Sequence, residues 1–320
     1  MKTTPPFGTG SFESLIDTRT FAHPTDTRVT PSDIGYDYDS SQIEHQHYVG
    51  ICTAISLVQN AEKALNKKFS PDFQYLLQKK FIDMNWDEGS SIFSSLKVGK
   101  TYGFLPIELF TYVTEYDRNS LYYRYIDKLK AIPDSEILRL INLCVSPLKA
   151  YASVKIDVES IAHAIGTSKS GILVRYVIDS NWWYPSWRES DINPLKSPIS
   201  QTSGHAIIGA KINGSNIELA NTWGTLWNRQ GKGNAIFDNY MPTEAWIPYY
   251  TDVPIEIETS LVNKTILKLI NTLKFGDKGI EVKRLQQLLI DTGYKIPAGS
   301  TGFYGSQTLA AVASWKLKNK

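Results

Sequence analysis

The sequence predicts an α+β fold followed by a small all-helical module, and three observations carry that prediction. Residues from 52 to about 103 place apolar side chains at helical spacing. Residues from about 150 to 223 run in short apolar or alternating stretches broken by Gly, Asn and Ser. After about 271 helical spacing returns around Gly-rich turns. Helices gathered ahead of strands, rather than alternating with them, argue for segregated helical and sheet layers. With 320 residues the chain can build one large core and a second, smaller one.

Residues 1–40 are rich in Thr, Pro, Asp and Gly without periodicity and read as an extended N-terminal arm. Ala54, Leu57, Val58, Ala61 and Leu65 then share one face of an amphipathic helix whose first turn holds Cys52. In SPDFQYLLQKKF, Ser70 is placed as N-cap and Pro71 at the first helical position. A third helix is expected near SSIFSSLKVGKTYG, closed by Gly103. Beyond residue 150, AYASVKI, ILVRYVI, HAIIGAKI and IELANTW read as strands. In the tail, Val282, Leu285 and Leu289 share one helical face and Leu309, Val312 and Ala313 another. These signals set the limits: arm 1–40, α+β domain 41–254, linker 255–270, helical module 271–320.

Apolar content of 42% and charged content of 21% are those of a soluble globular protein. A net charge of +2 with no long basic run provides no field to hold nucleic acid, and no nucleic-acid partner is expected. Two cysteines cannot build a disulfide framework, so stability must rest on packing. The N-terminus has no apolar signal segment and no 18-residue apolar run occurs, so synthesis in the cytoplasm without a membrane span is expected.

HQHYVGICTAIS, residues 45–56, concentrates His45, His47 and Cys52. A zinc site needs four ligands at close paired spacing, whereas His23, His163, His205 and Cys144 are scattered; no metal and no cofactor are expected. A nucleophilic thiol fits better. The free N–H groups and partial positive charge at a helix N-terminus favour a thiolate, and Gly50 lets the chain turn tightly into the helix. Such a thiol needs an imidazole and a third group to orient the ring. His205 begins a strand in SGHAIIGAKI, where a ring can point into a cleft. Asn221, in ELANTWGTLWNRQG, can accept the ring's second N–H and set its tautomer. The remaining candidates read as structure: WWYPSW at 182–187 as a loop on the core, His163 as a core histidine, Cys144 as a small buried hydrophobe, His45 and His47 as surface residues.

These residues, in this order, resemble the papain-like (C1) cysteine peptidases, particularly bacterial members without disulfides. Gln46 stands six residues before Cys52, Gly50 two before it, and Ala54 and Ser56 follow. HAIIGAKI is similar to the family's His segment and ANTWGTLWNRQGKG to its N-S-W-G-x-x-W-G-x-x-G segment. Between them SPDFQYLLQKK, DEGSS, LKVGKTYGFLPIELFTY and IAHAIGTSKSGILVRYVID keep the family's order, so the resemblance spans about 28–250. It departs at Val49, Thr53, Thr222 and Asn228. The resemblance implies a two-lobed fold, a helical lobe against a β-barrel-like lobe. It implies Cys52 as nucleophile, His205 as proton shuttle and Asn221 as its orienter. The Gln46 amide and the Cys52 backbone N–H would form the oxyanion hole, Trp223 would shield the Asn221–His205 contact, and Gly89 with Ser90 would offer backbone to an extended substrate.

The tail resembles the small three-helix peptidoglycan-binding domain through GDKGIEVKRLQQLLIDTGY and STGFYGSQTLAAV, with Thr301 where Asp is usual and Tyr304 where Phe is. Together the two resemblances imply a cysteine endopeptidase with a peptide or protein substrate, directed to bacterial peptidoglycan. That is a phage or bacterial lytic or processing protein, virion-associated or released to act at the wall. The alternative is a virion or envelope attachment protein with an incidental or inactive peptidase fold.

Overall fold

In a computed structural model the described residues are 10–14, 22–23, 34–110, 122–178, 182, 203–237, 240–251 and 259–318. The chain divides into two compact units, Met1–Val253 and Pro254–Lys320.

In the first unit, α1 (Cys52–Leu65) starts at the nucleophile candidate and ends where Asn66 turns left-handed. Every residue from Cys52 to Glu62 is buried, so α1 is a core helix rather than a surface one. Helix α2 (Pro71–Leu77) is capped by the Ser70 hydroxyl, which accepts from the Phe73 N–H at 3.2 Å. It widens into a π-helical turn, Gln78–Asp83, which the sequence spacing does not announce. Helix α3 (Ile92–Thr101) is capped by Ser91. Gly103 follows it at φ +82°, where a Cβ would meet the Val145 carbonyl oxygen at 2.2 Å. Helices α4 (Tyr122–Lys130) and α5 (Asp134–Ile141) complete the helical layer among the described residues.

The sheet is built from β4 (Leu148–Ser153), β5 (Ile172–Ile178), β6 (Ser203–Asn213), β7 (Asn216–Ala220), β8 (Lys232–Ile236) and β9 (Glu244–Tyr250), in the spatial order β4-β9-β5-β6-β7-β8. All these pairings are antiparallel, and β2 (Ile34–Gly35) adds to β6. Strand alternation divides β6 between two cores. Ala206, Ile208 and Ala210 pack with Cys52, Leu57, Val58 and Ala61 of α1. Ile207 and Ile212 pack with Ile161, Ala162 and Ile165 of α6 (Val158–Thr167); a register shift between Gly209 and Lys211 carries Ile212 to that face. Each large side chain so buried contributes roughly 1.5–3 kcal/mol. The expected α+β class with a helical lobe on a sheet lobe is what the chain adopts.

Besides the β2–β6 pairing, the arm is attached at further points among the described residues. β1 (Ser11–Phe12) pairs in parallel with β3 (Ser90–Ser91). Further on, Ala22 bridges Ser153, and the His23 ring lies between the Tyr249 hydroxyl at 2.5 Å and His163 Nδ1 at 2.9 Å. His163 is therefore half-buried and paired with the arm, not closed within the core.

In the second unit, α7 (Thr259–Thr272), α8 (Ile280–Asp291) and α9 (Ser306–Lys318) replace the expected picture in two places. The stretch taken as linker, 255–270, is largely helix, because Ile266, Leu269 and Ile270 fall on one buried face. In α9 the buried face is Thr308, Ala311, Val312 and Trp315, leaving Leu309 and Ala313 exposed; the largest side chain, Trp315, sets which face turns inward. The Gly-rich turn that opens α8 joins the one between α8 and α9, the Gly279 N–H donating to the Gly302 carbonyl at 2.8 Å.

Candidate active site

Strand pairing brings the distant segments together. α1 packs its N-terminus on β6, and β7 lies beside β6, so Cys52, His205 and Asn221 converge although 169 positions separate the first from the last. His205 Nε2 donates to Asn221 Oδ1 at 2.7 Å, and the same oxygen accepts the Thr222 N–H at 2.7 Å. The imidazole is thereby held with Nδ1 as its remaining nitrogen, which is buried and has no hydrogen-bond partner among the described residues. Trp223 stacks on the ring at 4.4 Å and 26°, and Trp182 meets its edge at 6.2 Å. Trp182 is the described residue of WWYPSW; it packs under the Trp227 indole, whose N–H donates to the Trp182 carbonyl at 2.7 Å. Residues 183–187 lie outside the described residues.

Cys52 opens α1 and its thiol lies against the Ala206 N–H, one residue past His205. Burial pushes the thiol up to about 11, outweighing the N–H groups of Ala206, Thr53 and Cys52 and the charge of Arg175. Burial likewise holds His205 down at about 4, against the upward pull of Asn221. Burial therefore opposes the helix N-terminus at the thiol and disfavours the charged ring at His205. No thiol–imidazole hydrogen bond occurs among the described residues.

Gln46 is buried beside this pair. Its N–H donates to the Thr222 carbonyl at 2.8 Å, its Oε1 accepts from the Thr222 hydroxyl, and its Nε2 donates to the Val49 carbonyl at 2.9 Å. The turn that carries it is framed by His45 and His47, half-buried and stacked at 4.2 Å, rather than free on the surface. His45 Nδ1 accepts the His47 N–H, and its ring covers Gly224. Among the described residues no three His, Cys, Asp or Glu side chains are close enough to share a metal ion.

Of the expected substrate edge, Gly89 turns both backbone groups inward. Its N–H donates to the Tyr75 hydroxyl at 3.1 Å and its carbonyl accepts from the buried Lys79 ammonium at 2.8 Å. Ser90 takes the outward role: its N–H donates to the Gly10 carbonyl at 2.8 Å. Lys79 was not legible as a site residue, because only the π-turn brings it under this loop.

No protein-family model matches the chain, and no curated protein matches it in sequence. Among solved structures it is similar to xylellain, a cysteine protease from Xylella fastidiosa, with a TM-score of 0.62, 17% identity, and 78% of this chain covering 99% of that one. It is also similar to digestive procathepsin L 3 of Tenebrio molitor larval midgut, with a TM-score of 0.53, 16% identity and 76% of each chain covered. At these identities the likeness gives the fold, which is papain-like.

Proposed function

We propose that this chain is a cysteine endopeptidase directed to the bacterial cell wall by its C-terminal module. The observation that carries the reading is the His205–Asn221 bond under Trp223, which leaves Nδ1 unpartnered beside the helix that opens on Cys52. In the working cycle the Cys52 proton passes to His205 Nδ1 and the thiolate attacks the scissile carbonyl. The Cys52 backbone N–H and the Gln46 amide stabilise the tetrahedral oxyanion. Imidazolium returns its proton to the leaving amine, and water hydrolyses the thioester by the same route reversed.

The wall-directed part rests on GDKGIEVKRLQQLLIDTGY and STGFYGSQTLAAV, which supply α8, the joined Gly turns and α9. A phage or bacterial lytic or processing role combines the two parts. Incubating wild type and Cys52→Ala with purified peptidoglycan and with a denatured protein tests it. Cys52-dependent new amino termini are expected in the wall; termini only in the protein would make the chain a processing peptidase. Tight sedimentation with wall and no new termini in either would replace this reading with attachment.

A further inference from the structure

Gly10 touches both walls of the cleft. Its N–H donates to the Gly204 carbonyl at 3.1 Å, and its carbonyl accepts from the Ser90 N–H at 2.8 Å. A residue strapped to both walls cannot slide sideways, and the walls here are backbone. A Cβ on Gly10 would lie 2.8 Å from Gly89 Cα, 3.2 Å from Gly89 N and 3.4 Å from the Gly50 oxygen. The walls have no more room than the strand: a Cβ on Gly89 would meet the Gly10 oxygen at 2.0 Å, and one on Gly204 the Ser11 oxygen at 1.8 Å. Gly10 also holds φ +152°, a conformation side-chain-bearing residues rarely adopt.

Two side chains keep this gap from widening. Glu88 Oε1 accepts the Gly50 N–H at 2.9 Å, tying the turn before the nucleophile to the Gly89 loop. The Lys79 ammonium pins the Gly89 carbonyl from below. Relief would therefore require moving backbone, not the tip of a flexible side chain.

We propose that the cleft selects glycine: an extended peptide that bonds both the Ser90 N–H and the Gly204 carbonyl must carry glycine at the bridging residue, with Glu88 as the specificity-determining side chain. The inference rests on the peptidase reading and deepens it, naming glycine-containing peptide segments as the substrate class. The clash is at Cβ, so alanine and leucine are excluded alike, which a pocket that merely limits size would not do.

The full-length Gly10→Ala protein tests the pinch directly. Its arm is expected to loosen, raising the rate of Cys52 alkylation by iodoacetamide about tenfold. On that variant, the peptide PFGTGSFES (residues 6–14) should protect Cys52 at roughly tenfold lower concentration than its alanine and leucine counterparts, which should match each other. In a peptide library, products should share glycine at one fixed position relative to the cut, and Glu88→Ala should admit alanine there. Unchanged alkylation of Gly10→Ala, or equal protection by all three peptides with glycine-free cleavage, overturns the inference and leaves the peptidase reading standing. Glycine-selective protection without cleavage of any peptide supports the inference and sinks the peptidase reading. Neither protection nor cleavage overturns both.

Discussion

The Thr222 hydroxyl donates to Oε1 of Gln46 across 176 positions of chain, while the Gln46 N–H donates to the Thr222 carbonyl. This two-way tie joins the oxyanion candidate to the segment that orients the imidazole, and it fixes which way the Gln46 amide faces. Thr222→Val is expected to lower kcat about tenfold with little change in KM, and Thr222→Ser to restore it. Gln46→Ala, which removes the donor itself, should cost about 10²–10³ in kcat. Steady-state kinetics on one cleaved peptide separates the two effects.

Gly10 of the arm bonds Ser90 and Gly204, the latter next to His205, so the arm is expected to limit access to the thiol. Buried and held at about 11, Cys52 in the intact chain should react with iodoacetamide at pH 7 more slowly than free cysteine. Removing residues 1–14 should reverse the order. An unchanged rate after removal would show that the cleft walls alone bury the thiol.

Acid should destabilise the first unit through His205. Its folded value of about 4 lies below the ordinary 6.5, so the unfolded chain binds the extra proton between those values. The stability this neutral ring contributes is present above about pH 6.5, is lost as the pH falls toward 4, and changes no further below. The fully buried ring accounts for roughly 3 kcal/mol of that loss. Calorimetry of His205→Gln, which cannot titrate, should show a shallower decline over the same window.

Lys79 braces the substrate edge. Its ammonium is wholly buried and meets Gly89 O at 2.8 Å, Asn85 Oδ1 at 2.9 Å and Asp83 Oδ2 at 3.1 Å. Lys79→Met should destabilise the unit by about 3 kcal/mol and raise KM for peptides as the Ser90 edge shifts. The alkylation rate of the arm-deleted protein should be unaffected, since iodoacetamide does not use that edge.

Gln286 is the polar hub of the second unit. Its Nε2 donates to the Thr308 hydroxyl at 2.8 Å and the Phe303 carbonyl at 2.9 Å, and its Oε1 accepts the Gly302 N–H at 2.8 Å. Gln286→Leu strands the buried Thr308 hydroxyl and loses the part-buried bonds to Phe303 and Gly302, and should cost about 1–3 kcal/mol. The expected result is lost sedimentation with wall and unchanged cleavage of a soluble peptide.

Several elements were legible because their signals are local. Ser70 and Pro71 announce the start of α2, the helical spacing of Ala54, Leu57, Val58, Ala61 and Leu65 announces α1, and the apolar runs around His205 and Asn221 are the paired strands β6 and β7. The stretch 255–270 reads as a linker because it joins two regions of different texture, yet Ile266, Leu269 and Ile270 keep helical spacing and are buried in α7. The π-turn at Gln78–Asp83 was hidden because its neighbours fit an ordinary helix equally well.

The sequence by itself determined the residue types of the site, their order, and the segregation of helices from strands, since caps, periodicity and turn residues act within a few positions. Only the tertiary structure decided that burial opposes the helix N-terminus at the thiol, that Ser90 and not Gly89 faces the cleft, that Lys79 and Thr222 brace the site, and that Gly10 lies between its walls. Those outcomes depend on desolvation and on backbone approach between segments far apart in the chain, and neither is written in the spacing of residues along it.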